Sequence, residues 1–172
     1  MLSKQMTQAL NDQIASEMYS ANLYLQMGLD MAQDHGLQGF SHWFMCQWAE
    51  ELGHALKIMH YMMSRGADAK ISALEAPEKT WKDARTAMEV AYKHEQMITR
   101  QVGDIMKMAK TENDYGTECL MRWYVGEQIE EEDTVRRIHA QVMMVRDQKS
   151  GLLFIDKELH TRPEPAHFHD YH

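Results

Sequence analysis

No proline precedes Pro77, and none lies between Pro77 and Pro163. Helix interiors exclude proline at about 3 kcal/mol each, so both stretches are open to long helices. Glycines stand singly, with no Asn-Gly or Asp-Gly hairpin signal, and no β-branched runs alternate with polar residues. The chain therefore reads as all-α. Helices are predicted from about Ser3, an N-cap, to Asp34; from Leu37 to Arg65, closed by Gly66; from Trp81 to Lys110; and from Tyr115 to Gln148. His35-Gly36 and Thr111-Glu112-Asn113-Asp114 supply short turns, while Ser150-Gly151 sets off a short fifth helix in LLFIDKELH. Residues 1–160 form one four-helix bundle with its fifth helix, and 161–172 a flexible Pro/His-rich tail.

Each long helix carries an apolar stripe at 3- and 4-residue steps. These are Leu10, Ile14, Glu17, Ala21, Tyr24; Phe44, Glu51, His54, Ile58, Tyr61; Ala84, Met88, Ala91, Glu95, Ile98, Val102, Ile105; and Met121, Tyr124, Gln128, Glu131, Val135, Ile138, Val142, Val145. Every stripe is interrupted near its middle by a residue that can bind metal. In a helical hairpin, residues equidistant from the turn lie level. Positions 17 and 51 are equidistant from residue 34, beside the first break; positions 95 and 131 are equidistant from residue 113, inside the second. The stretch between the second and third helices is long enough to run back along the bundle, which makes those two helices parallel.

A buried carboxylate costs several kcal/mol unless something neutralises it. Four carboxylates, one imidazole and one amide at one height, with no base on those stripes, call for cations. Oxygen ligands with one histidine suit iron or manganese better than copper or structural zinc. Glu51-x-x-His54 places both groups on one helical face, and Gln128-Ile-Glu-Glu131 stands where a second such motif would carry histidine. The overall charge agrees: 26 acidic against 18 basic side chains, net −8, disfavours nucleic acid and anionic membranes as partners. The longest stretch without a charged residue, His35 to Ala49, is too short to span a bilayer. MLSKQMTQALND lacks an apolar signal-type run, so a cytoplasmic location is expected. Cys46 and Cys119 form no CxxC pair and read as small core residues.

At these positions the chain resembles a bacterial non-haem ferritin over nearly its whole length. The stretches that carry the likeness are SEMYSANLYL, WAEELGHA, YKHEQMIT, RWYVGEQIEEE and FIDKEL. The resemblance implies a ferroxidase centre that oxidises Fe(II) with O2 or H2O2. Glu17, Glu51 and His54 would hold one iron, Glu51 would bridge, and Glu95 with Glu131 would hold the second, with Gln128 acting through water. A third iron position would use Glu50, Glu127 and Glu130. Tyr24 and Trp123 would supply electrons. A 24-subunit shell storing ferric oxyhydroxide is implied, its fourfold axes lined by the fifth helix.

A bacterioferritin would carry histidine near position 131 and a methionine beside the bridging glutamate; Glu131 and Leu52 stand there, so no haem is expected. Rubrerythrins carry a CxxC pair, and the small Dps proteins lack the fifth helix. Animal ferritins have two acids at a threefold pore, whereas here Glu118 is followed by Met121. The 16 methionines read mostly as core fillers. His160 at the end of the fifth helix, with His167, His169 and His172 in the tail, makes the C-terminal stretch His-rich. His42, His60, His94 and His139 read as surface or packing residues. A bundle that buffers divalent metal without oxygen chemistry is the alternative reading.

Overall fold

The computed structural model describes residues 1–145 and 148–165. Five helices follow in order: α1 (Lys4–Gln33), α2 (Gln38–Ser64), α3 (Ala84–Glu112), α4 (Tyr115–Val145) and α5 (Lys149–Leu159). Ser3 caps α1 by accepting a hydrogen bond from the Met6 amide at 3.0 Å. After α2, Gly66 turns left-handed at φ +66°, and the Ala67 and Gly66 amides reach back to Met62 O and Met63 O. That paired closure is the Schellman ending the sequence anticipates. Asn113, also left-handed, ends α3, and the adjacent Asp114 accepts from Thr117 to begin α4.

α1 packs mainly on α2, and α3 on α4. Hydrogen bonds fix the directions. Ser3 at the start of α1 meets Glu112 at the end of α3, while Asp30 near the end of α1 accepts from the Trp81 amide just before α3. Helices α1 and α3 are thus antiparallel, which makes α2 and α3 parallel. The connection between them is pinned along α1 at three heights. Asn11 brackets Asp68 O and the Lys70 amide, Gln26 donates to Lys79 O, and Asp30 takes Trp81. Positions 11 and 30 are about 28 Å apart along a helix at 1.5 Å per residue.

The interior is layered along the bundle axis. One apolar cluster gathers Tyr24, Phe40, Trp43, Phe44, Met88 and Val135; the other gathers Leu10, Ile14, Ile58, Ile98, Val102 and Tyr124. The stripe residues are buried as read, except that Tyr61 and Val145 are only partly covered.

Four expectations need correction. Helix α3 begins at Ala84 rather than Trp81, because Asp83 caps it through the Thr86 amide and Trp81 is consumed as a buried plug held by Asp30. It also continues past Lys110 to Glu112. The last break lies before Ser150-Gly151, since both residues are inside α5, and Gln148 is its N-cap. Cys119 is exposed, two positions off the buried stripe that contains Met121; Cys46 is buried. Among the methionines, Met6, Met27, Met31, Met62, Met88 and Met121 are fully buried, whereas Met63, Met143 and Met144 are exposed. His167, His169 and His172 lie outside the described residues. Among those described, no helix is long and apolar enough to cross a membrane.

Helix α5 folds back onto the start of α2. Asp156 Oδ1 accepts from the Phe40 amide at 3.0 Å, and Ile155 and Leu159 enter the first apolar cluster. The backbones approach so closely that a Cβ on Gly39 would lie 1.6 Å from Asp156 O. Gly39→Ala is therefore expected to unseat α5 and lower stability by about 2 kcal/mol. Chemical denaturation monitored by circular dichroism checks this, and an unshifted midpoint would contradict the close approach.

Candidate metal centre

The six mid-stripe residues converge between the two apolar clusters, and all are buried: Glu17, Glu51, His54, Glu95, Gln128 and Glu131. Ligand atoms of Glu17 on α1 with Glu51 and His54 on α2 all lie within 4.8 Å of one another. His54 Nδ1 stands 3.3 Å from Glu51 Oε2. From α4, Gln128 Nε2 donates to Glu95 Oε2 on α3 at 3.0 Å. The Tyr24 hydroxyl donates to the other Glu95 oxygen. Tyr124 donates to His54 O at 2.6 Å, fixing the backbone under the histidine.

The donors to Glu17, Glu95 and Glu131 are neutral. Gln13 serves Glu17 at 2.8 Å, Gln47 serves Glu131 at 2.8 Å, and Tyr24 and Gln128 serve Glu95. Burial, followed by the neighbouring Glu51 charge, pushes the Glu17 carboxyl well above the usual range. Burial, then Glu95 and Glu131, does the same to Glu51. Burial raises Glu95 and carries Glu131 to about 7. Among the described residues Glu17 Oε2 receives no donor, and it faces Glu51. Two carboxylates so placed are satisfied only by a shared proton or by a cation. The donor set thus fits hard divalent or trivalent ions at an oxygen-rich site with one imidazole.

The remaining expected residues stand differently. Tyr24 is fully buried, stacked on Phe44 and edge-on to Trp43. Trp123 is partly exposed, with its ring against His54 and Lys57 Nζ over it at 3.8 Å. Glu50 and Glu127 are half-buried and Glu130 is exposed. These three lie outside the close-set ligand group of Glu17, Glu51 and His54, and the Glu50 carboxylate is paired with Arg162 at 2.5 Å. Met121 is buried in the second apolar cluster, and Glu118 pairs with Arg122. His94 packs in the interior with Nε2 2.7 Å from Ser20 Oγ, and burial lowers it to about 4.

Sequence reading missed Gln13, Gln47 and Arg162. A signal existed for the first two, since each glutamine precedes a stripe glutamate by one helical turn. Nothing local pointed to Arg162.

A family profile for the ferritin-like domain matches residues 7–145. The chain is 36% identical over 159 residues to a probable bacterial non-heme ferritin-like protein of Haemophilus influenzae, covering 92% of this chain and 96% of that one. It is 33% identical over 162 residues to a bacterial non-heme ferritin of Bacteroides fragilis, covering 94% and 100%. Among solved structures, an open-pore ferritin of the archaeon Archaeoglobus fulgidus superposes with a TM-score of 0.93 at 40% identity, covering 95% of this chain and all of that one.

The raised carboxyls make the metal-free protein sensitive to pH in a defined direction. A group such as Glu131, ordinarily near 4.5 but near 7 when folded, holds a proton in the native state that the unfolded chain has lost. Stability should therefore rise as pH falls from 7.5 to 5.5, by about 2 kcal/mol from Glu131, with Glu17, Glu51 and Glu95 adding in the same sense. His94 opposes this by about 1 kcal/mol below its ordinary 6.5, because it stays neutral when folded. Asp83 and Asp114, held low by Thr86 and Thr117 hydrogen bonds, act only in more acid solution. Thermal melting of chelated protein at the two pH values measures the balance. A lower melting temperature at pH 5.5 would contradict the carboxylate repulsion.

Proposed function

The chain belongs to the ferritin family, and on that premise we propose that it is a ferroxidase that stores iron. The observation that carries the proposal is the buried group of Glu17, Glu51 and His54 with a carboxylate oxygen left without a donor. On this reading Glu17 and His54 hold one Fe(II), Glu51 bridges, and Glu95 with Glu131 hold the second. Gln128, bonded to Glu95, orients that carboxylate and presents its amide to bound water. Two Fe(II) ions give one electron each to O2, which takes up two protons to form H2O2, so no one-electron oxygen radical is released. Raised carboxyls suit the chemistry, because protons bound to Glu17 and Glu51 leave as iron enters and are available to the reduced oxygen. On this reading Tyr24, whose hydroxyl donates to Glu95, supplies the second electron when only one Fe(II) is bound and passes its proton to that carboxylate, so that O2 still receives two electrons. Glu50, Glu127 and Glu130 form a weaker third position for iron on its way to storage.

The product is ferric oxyhydroxide deposited inside a hollow shell of 24 cytoplasmic subunits, without haem. Light scattering is expected to give a mass of about 480 kDa, 24 copies of a 20.1 kDa chain.

Addition of Fe(II) to aerobic protein is expected to give rapid oxygen consumption and ferric absorbance. Glu51→Ala and His54→Ala should slow both by at least tenfold, since loss of even outer partners of a metal costs roughly 10- to 100-fold. Glu51→Ala removes one of several repelling buried charges, so its helical circular dichroism should persist. Equal slow oxidation by wild type and both variants would refute the ferroxidase and favour simple metal buffering.

A further inference from the structure

A guanidinium bonded at the edge of the metal centre comes from the far end of the chain. Arg162 lies three residues beyond α5, on a segment anchored by Asp156 against Phe40 and by His42, whose Nε2 is 2.8 Å from Arg162 O. Its side chain is held on four sides, and only 20% of it is exposed. The guanidinium lies over the Trp43 ring at 5.2 Å and donates to Trp43 O at 3.4 Å, to Gln47 Oε1 at 2.5 Å and to Glu50 Oε2 at 2.5 Å. Such forked, charge-assisted bonding gives geometry as well as attraction.

The Gln47 contact reaches the metal ligands. Gln47 is fully buried, and its amide has one oxygen and one NH2 group. With the oxygen bound to Arg162, the NH2 must face Glu131 Oε2, 2.8 Å away. The opposite flip would set NH2 against a guanidinium and oxygen against a carboxylate. Arg162 therefore determines which group Glu131 meets, while its other nitrogen neutralises Glu50, the residue next to the bridging Glu51.

We propose that Arg162 is a positioning residue and a resident counter-cation. Through Gln47 it aims Glu131 at the cation pair, and by occupying Glu50 it obliges a cation at the third position to displace it. The inference rests on the two-cation reading of the centre given above.

Calorimetric titration of the metal-free protein with Zn(II), a redox-silent probe, separates the two effects by counting sites and their affinities. Wild type is expected to take up a tight pair and a weaker third ion. Arg162→Ala frees Glu50 and lets Gln47 turn, so the third site should tighten and the pair should loosen, each by roughly tenfold. Arg162→Lys supplies one compact charge without the fork, so the third site should stay weak while the pair loosens. Gln47→Met should reproduce the loosened pair alone. Light scattering and helical circular dichroism verify assembly, and the lysine and methionine variants carry the test if the alanine variant misfolds. Three variants titrating like a wild type that binds its pair would overturn the role of Arg162. A wild type that binds no pair would overturn the two-cation reading, and the role of Arg162 with it.

Discussion

Mutual repulsion among Glu17, Glu51, Glu95 and Glu131, shut away from water at one level of a helical bundle, is the condition that the other features answer. Their donors, Gln13, Tyr24, Gln128 and Gln47, orient oxygens without cancelling charge. A hydrogen bond from a neutral group fixes where a carboxylate points, yet leaves most of its field in a medium of low dielectric. Burial displaces all four carboxyls upward, repulsion from neighbouring carboxylates adds to it at Glu17, Glu51 and Glu131, and what disfavours their charge in the empty site would favour a cation that enters. Cation binding and weak intrinsic stability at this level would then have one cause.

The scaffold tolerates this by placing the strain between two apolar layers rather than at a bundle end. On one side Tyr24, Trp43 and Phe44 stack and abut; on the other Tyr124 closes the layer and holds the His54 backbone. Close-packed layers resist the spreading that repulsion would drive. The crossover contributes by gripping α1 at Asn11, Gln26 and Asp30, which fixes α3, and so Glu95, at the height of Glu17. Ser20 bonds His94 and Tyr24 bonds Glu95, so the same two helices are also tied beside the site.

The buried stripes were legible in the sequence because helical burial repeats every three or four residues, and a polar residue on such a stripe is conspicuous. Level placement followed from counting outward from two short turns. Tertiary claims on single residues were not legible. Trp81 looks like a helix start until Asp30, 51 positions away, takes its amide. Gly151 looks like a breaker, yet α5 runs through it with Val145 close by. Cys119 has the size of a core residue, but its phase on α4 turns it outward. Arg162 is 112 residues from Glu50, and no local pattern carries a contact of that span.

On the proposed reading, the distribution of charge across the site also implies an order of filling. Glu17, Glu51 and Glu95 are almost wholly dry, whereas Glu50, Glu127 and Glu130 retain contact with solvent. Attraction between a cation and a carboxylate grows as water is withdrawn, so the interior acids outcompete those at the rim for the first ions. An arginine paired with Glu50 sharpens that difference, since it lowers the field at the rim while leaving the interior carboxylates to neutral donors. If the interior holds the proposed pair, its positive ions would oppose a further cation at Glu50. On that reading two independent effects would make the rim the weaker position.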